Sequence, residues 1–169
     1  APAEGGSAVQ TLSDAGRAVL VRRALEELQD NVHYYYRHRR SAAFCQMAAE
    51  TIDELKSAGL SGQRLYALAQ ECGADSAKLS ELALIFQGYE TLLAGTGMDP
   101  SDRLTLAASR LESALARGGL PEFLRGREVF IDEFDTFNAP KKRLIGALLA
   151  SLPTVTVALC DDGAPLIPG

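Results

Sequence analysis

The segment from Val129 to Asp162 constrains the fold of this chain more than any other part of the sequence. An apolar run at Val129–Ile131 ends in the acidic pair Asp132 and Glu133, a helical pattern follows, and a second apolar run occupies Thr154–Leu159. Two strand patterns joined by a helix in about 30 residues predict a βαβ unit with parallel strands. Because two parallel strands are a marginal sheet, we expect the first strand to lie inside a larger sheet.

The acidic pair at the end of the first strand has two interpretations. In open α/β sheets, ligands bind at the carboxyl ends of the strands. In nucleotide hydrolases, an Asp at this place holds Mg²⁺ and a neighbouring Glu orients or deprotonates the attacking water. The alternative is structural, because a strand that re-enters water often ends in acidic residues and Asp also caps helices. The dipeptide alone leaves both interpretations open.

About five helices are predicted before the βαβ unit. Their starts are marked by cap residues, namely Ser13, Ser41, Ser61, Asp75 or Ser76, and Asp99. The fourth helix carries apolar residues at the spacing of an antiparallel bundle seam, namely Leu79, Leu82, Phe86, Tyr89 and Leu93. The predicted fold class is therefore mostly α with a small α/β part, a helical bundle followed by the βαβ unit.

We expect four regions along the chain. Residues 1–11 are a flexible linker rich in Ala, Gly, Pro and Ser, and residues 12–126 are the helical subdomain. Residues 127–162 hold the βαβ unit, and residues 163–169 are a tail. Neither end has the pattern of a natural start or stop, so we expect a segment of a longer protein.

The only local basic cluster with interleaved aromatic residues lies between Asn31 and Arg40. It combines three tyrosines with three arginines, namely Tyr34, Tyr35, Tyr36, Arg37, Arg39 and Arg40. Single-stranded DNA is bound by such mixtures, because rings stack on bases and guanidinium groups pair with phosphates. The alternative is that the tyrosines pack into the core while the arginines cover a solvated face.

The segment VFIDEFDTFNAPKKRLIGALL resembles the Walker B segment of UvrD-type superfamily 1 helicases. The order of the whole chain, from Leu12 to Asp162, more closely resembles the B subunit of bacterial AddAB/RexAB ATP-dependent helicase–nucleases. That resemblance implies a helical 1B-like subdomain beside the DNA path, followed by part of a RecA-like P-loop core. It places Asp132 as a Mg²⁺ ligand acting through water and Glu133 as the catalytic base. It also implies ATP and Mg²⁺ as cofactors of the parent protein.

This chain departs from the helicase pattern at three places. UvrD-type helicases usually follow Asp-Glu-Phe with Gln-Asp, where this chain has Asp135 and Thr136, and they usually carry Gln where it has Lys141. The sequence also contains no G-x-x-x-x-G-K-[ST] loop, so the phosphate cradle is missing from these residues. We therefore expect no cofactor in this chain alone and no ATPase activity from it.

Composition limits the partners, metal sites and cellular location that this chain can have. The formal net charge of −5 disfavours global attraction to nucleic acid, so any DNA contact must come from a local patch. Three widely separated Cys and two His indicate no zinc or iron–sulfur site, and reduced cytosolic thiols are expected. No apolar run reaches the roughly 18 residues of a membrane helix. We expect a cytoplasmic protein without a membrane partner.

Three interpretations follow. The first is a fragment of a helicase–nuclease B subunit in double-strand break repair and recombination, with DNA and the A-type subunit as partners. The second is a fragment of an active UvrD-type DNA helicase, which the Asp135-Thr136 departure disfavours. The third is a helical protein-interaction module without a catalytic role.

Overall fold

The computed structural model describes residues 11–134 and 136–159, without the side chains of Ala74, Glu133 and Phe134. Within that part, six α-helices and two β-strands follow one another. Their bounds are α1 Asp14–Glu27, α2 Ala42–Ser57, α3 Gly62–Ala69, α4 Ser76–Ala94, α5 Asp102–Ala116, β1 Val129–Phe134, α6 Ala139–Ser151 and β2 Val155–Leu159. The predicted linker at 1–11, apart from Thr11, and the predicted tail at 163–169 fall outside the described residues.

The first three helices begin at the predicted caps. The side-chain oxygens of Ser13, Ser41 and Ser61 each accept a hydrogen bond from the backbone N–H three residues further on, at 3.2 Å in all three cases. Each bond satisfies a donor that the first helical turn leaves unpaired. Beyond the end of α2, Gly59 has a φ of 81°, the left-handed conformation that Gly commonly adopts just after a helix.

Residues 11–103 form the first of two compact units. Helices α1, α2 and α4 enclose its core, whose largest fully buried side chains include Val21, Leu25, Ile52, Phe86 and Tyr89. Helix α3 packs closely on α4, because a Cβ at Gly62 would lie 2.8 Å from the backbone nitrogen of Gln87. Thr11 pairs with Met98 in an isolated parallel bridge, so the beginning and the end of this unit lie side by side.

The second compact unit begins at Leu104 and contains most of α5 and the βαβ segment. Strands β1 and β2 are parallel, and Val129 pairs with Val155. Arg143 of α6 donates to the carboxylate of Glu112 on α5 at 2.8 and 2.6 Å, which joins these two helices. The exposed pair is screened by water and contributes little to stability.

The first strand is longer than its apolar run. The run ends at Ile131, but β1 continues to Phe134, with an irregular register between Ile131 and Phe134. The acidic pair thus lies within the carboxyl-terminal half of the strand, where the pairing is distorted. Such irregularities bend a strand and redirect its side chains.

The mostly helical fold with a small parallel sheet is confirmed. Phe130 is 70% exposed and Leu149 is 55% exposed, although both belong to apolar patterns in the sequence. Membership of a RecA-like core and the domain boundary at residues 126 and 127 stay predictions; the compact division lies at Arg103 and Leu104. Within the described ranges, no helix is long and apolar enough to cross a membrane.

Candidate nucleic-acid interface

The basic–aromatic segment, residues 33–40, is anchored by a carboxylate from a distant helix. Glu81 on α4 accepts hydrogen bonds from the backbone N–H groups of His33, Tyr34 and Tyr35 at 2.8 to 3.2 Å. Three successive N–H groups that converge on one point form an anion-binding concavity. Glu81 occupies that concavity here and thereby fixes the turn that presents the tyrosines. Nothing in the local sequence pattern signals this contact, which spans more than 45 residues.

Tyr34 is the exposed tyrosine of the segment, at 42%. The guanidinium of Arg37 and the ammonium of Lys78 each lie 5.2 Å from the centre of its ring. The negative face of an aromatic ring attracts cations at this distance. Two cations are therefore held beside one exposed ring, and Lys78 joins the cluster although its place in the sequence does not indicate this.

Tyr35 and Tyr36 are partly buried and pack against the core of the first unit. The ring of Tyr35 stacks on Phe44 with centroids 5.7 Å apart, and burial raises the pKa of its hydroxyl. The ring of Tyr36 is covered by the guanidinium of Arg39, which lies 4.0 Å from the ring centre. These two tyrosines thus hold the segment on the protein, while Tyr34, Arg37 and Arg40 are exposed.

Two concave surfaces lie beside the segment. The first, of about 440 Å³, is lined by four aromatic residues, an alanine and a methionine, namely Tyr34, Tyr35, His38, Phe44, Ala43 and Met47. The second, of about 370 Å³, is lined by three arginines, Arg22, Arg39 and Arg40, and by Asp14 of α1. The sequence between Asn31 and Ala49 contains no Asp or Glu, so this stretch of the chain is locally basic.

The acidic pair, Asp132 and Glu133, belongs to the second unit. Asp132 is exposed in β1 and lines a cavity of about 230 Å³ together with Lys141. The ammonium of Lys141 donates to the backbone carbonyl of Thr136 at 3.0 Å. The side chain of Glu133 and all of Asp135 lie outside the described residues, so the roles predicted for the pair stay predictions.

The described residues alone do not fit a complete nucleotide site. They include no group of three or more Asp, Glu, His or Cys side chains placed to hold a metal ion. Asp132 supplies one carboxylate, whereas a bound triphosphate also needs the Gly-rich loop that this sequence lacks. Asp132 could therefore contribute one ligand, directly or through water, to a site completed by other residues.

Sequence reasoning missed a buried charge cluster at the end of the first unit. Asp99 is fully buried and accepts from the hydroxyl of Tyr89 at 2.8 Å and from the ammonium of Lys56 at 3.2 Å. Arg17, 7% exposed, lies 3.4 Å from Asp99 and also binds Asp53. Burial and the bond to Asp99 raise the pKa of the Tyr89 hydroxyl. The cluster joins α1, α2 and α4 to the segment that leads into α5.

Comparison with known proteins gives consistent matches over almost the whole chain. Residues 3–166 match the model of the family described as ADDB, N-terminal. The B subunits of the ATP-dependent helicase/deoxyribonuclease from Moorella thermoacetica and Desulforamulus reducens are 33% and 30% identical to it, each over 94% of the chain. The corresponding protein of Heliobacterium modesticaldum is 30% identical over 96%. The chain spans only 13–14% of the length of these relatives.

Proposed function

Because this chain belongs to the family of ADDB N-terminal domains, we propose that it is the N-terminal part of an ATP-dependent helicase/deoxyribonuclease B subunit. The protein would act with an A-type subunit, in the cytoplasm, on DNA ends during double-strand break repair and recombination. The match over residues 3–166 supports this function over a UvrD-type helicase or an unrelated interaction module. Within that protein, the first unit would contact DNA and the A-type partner.

We further propose that β1, α6 and β2 are one βαβ element of a RecA-like core. Phe130 supports this proposal, because parallel sheets are normally covered on both faces and this ring is 70% exposed. In the complete core, Asp132 would bind Mg²⁺ through water and Glu133 would act on the attacking water. ATP with Mg²⁺ would supply the phosphoryl chemistry when bound.

The proposed DNA contact is the surface formed by residues 33–40. A single observation carries it: exposed Tyr34, Arg37 and Arg40 are held on a fixed turn in a stretch without acidic residues. Phosphate contacts by arginine supply affinity without sequence selectivity, and ring stacking adds to it on single strands.

The test is the anisotropy of labelled single-stranded and forked DNA, titrated with this chain at low and moderate salt. One variant carries Arg37, Arg39 and Arg40 changed to Ala. A control changes three exposed arginines elsewhere, Arg103, Arg110 and Arg117. Since each variant loses three positive charges, both move the formal net charge from −5 to −8.

We expect salt-sensitive binding that the first variant loses and the control keeps. The slope of log affinity against log salt should fall by about 0.7 for each phosphate contact removed. An equal loss of DNA affinity in both variants would show that net charge alone accounts for the effect. No binding at low salt would refute the DNA contact and leave protein–protein contact as the role of the helices.

A further inference from the structure

We propose that the 440 Å³ groove lined by Tyr34, Tyr35, His38, Phe44 and Met47 is a subsite for one nucleobase of a DNA single strand. The inference rests on the proposed DNA contact and goes further, because it locates the base and adds residues from α2 and α4. We call this surface the base groove.

Aromatic rings and a thioether line the base groove. Tyr35 and Phe44 stack on each other with planes 24° apart, and the ring of His38 lies 5.3 Å from that of Phe44, so the three rings form one aromatic cluster beside which a base would pack. Met47 is 55% exposed, so its thioether is a second apolar wall open to a ligand. The volume of the base groove, about 440 Å³, lies within the range of about 300–1,000 Å³ found for small-ligand sites. It is large enough for one base.

The three tyrosines are not equivalent in this arrangement. Arg39 covers the ring of Tyr36, whose hydroxyl donates to Gln29 at 3.3 Å, so that ring is already occupied. Tyr34 meets Tyr35 edge-on, at 85°, and forms the wall of the base groove. One base would therefore enter beside Tyr34, Tyr35 and Met47, instead of three bases stacking on three successive tyrosines.

The charges favour a nucleotide over an apolar protein segment as the occupant. Arg37 and Lys78 stand beside Tyr34 at the edge of the base groove. An apolar side chain would fill the groove but bring no negative charge to these cations, whereas a nucleotide brings its own phosphate. Glu81 also brings a carboxylate to this segment, but the backbone N–H groups of His33, Tyr34 and Tyr35 already bind it. Lys78 is thus assigned as a phosphate contact.

The experiment compares oligo(dT) with an abasic oligonucleotide of the same length, which keeps every phosphate and has no bases. This chain should bind oligo(dT) about 5- to 150-fold more tightly, the range that corresponds to about 1–3 kcal/mol for one stacked base. The variant with Tyr34→Ala and Met47→Ala should lose most of that preference, whereas the variant with Arg37→Ala and Lys78→Ala should weaken the binding of both strands by a similar factor and keep the preference. The side chains of Tyr34 and Met47 are exposed, so the fold should tolerate their removal.

Tyr66→Ala is the matched control, because Tyr66 is 40% exposed on α3 and lies outside the base groove. It should keep the full preference for bases. A preference that persists in the Tyr34 and Met47 variant, or equal binding of both strands by the unchanged chain, would overturn the base groove and leave the phosphate contact intact. If the unchanged chain binds neither strand, the proposed DNA contact fails as well.

Discussion

The buried charge cluster gives a quantitative prediction for Asp99→Ala. The side chain is fully buried and forms a hydrogen bond with Tyr89 and ion pairs with Arg17 and Lys56. Removing one partner from a buried ion pair costs about 3–5 kcal/mol, because the remaining charge stays out of water. Lys56 retains Asp102 at 2.8 Å and Arg17 retains Asp53. We therefore expect Asp99→Ala to lower the free energy of unfolding by about 3 kcal/mol, near the lower limit of that range.

Two further variants separate the parts of this effect. Tyr89→Phe removes only the hydroxyl that donates to Asp99, so the expected loss is about 1.5 kcal/mol, the lower value for a hydrogen bond to a charged group. Asp14→Ala is the control, because Asp14 also pairs with Arg17 but its side chain is 87% exposed. An exposed ion pair in the first turn of a helix contributes less than about 1 kcal/mol to the free energy of unfolding, so Asp14→Ala should cost less than that.

The assay is urea denaturation followed by tyrosine fluorescence. The chain has no Trp, and its five tyrosines, at positions 34, 35, 36, 66 and 89, all lie in the first unit. The signal therefore reports the unfolding of the helical unit that contains Asp99. Equal free-energy losses for Asp99→Ala and Asp14→Ala would refute the argument that burial of Asp99 makes this cluster important.

Three other predictions follow from particular residues. Gly62→Ala should lower the free energy of unfolding of the first unit by about 1–3 kcal/mol in the same assay, because its Cβ would lie 2.8 Å from the backbone nitrogen of Gln87. Gly95→Ala is the control in the same unit, because its Cβ would meet the carbonyl oxygen of Leu92 at 3.8 Å, an ordinary contact, and it should not destabilise. Burial raises the pKa of the Glu90 carboxyl above its ordinary value of 4.5, because the charged form is disfavoured out of water. The contribution of Glu90 to the free energy of unfolding is therefore fully present below pH 4.5 and is lost as the pH rises through the raised pKa. Glu90→Gln should therefore raise the urea midpoint at about pH 7 and lose this gain near pH 4; a gain equal at both would contradict the burial argument. This chain should hydrolyse no ATP above background, and measurable ATP hydrolysis by the purified chain would contradict that expectation. In the complete protein, Glu133→Gln should abolish DNA-stimulated ATP hydrolysis if Asp132 and Glu133 are functional. A variant with unchanged ATP hydrolysis would identify the pair as vestigial.

The local parts of the fold were predictable because their signals are local. Cap residues such as Ser13 and Ser41 satisfy N–H groups three residues away, so the sequence itself contains both partners. The parallel strands were predictable from two apolar runs around one helix. The extension of β1 to Phe134 was not, because acidic residues in a distorted strand resemble the end of a strand.

The candidate DNA-binding surface was only partly predictable. The composition of residues 33–40 indicated a basic–aromatic cluster, but which ring is exposed depends on packing against residues far along the chain. Glu81 and Lys78 join the cluster from α4, and Asp99 is buried among charges from other helices. Each of these polar residues is unremarkable in its own sequence context, and only the tertiary fold brings it to its partners.

The most direct test of the central claim is a photochemical crosslink between this chain and single-stranded DNA that carries 4-thiothymidine, mapped by mass spectrometry. Crosslinked peptides should contain residues 34–47, which include Tyr34, Phe44 and Met47. The Arg37, Arg39 and Arg40 variant should lose these crosslinks. Crosslinks confined to other surfaces, with residues 34–47 unmodified, would contradict the placement of DNA on this face of the helical unit.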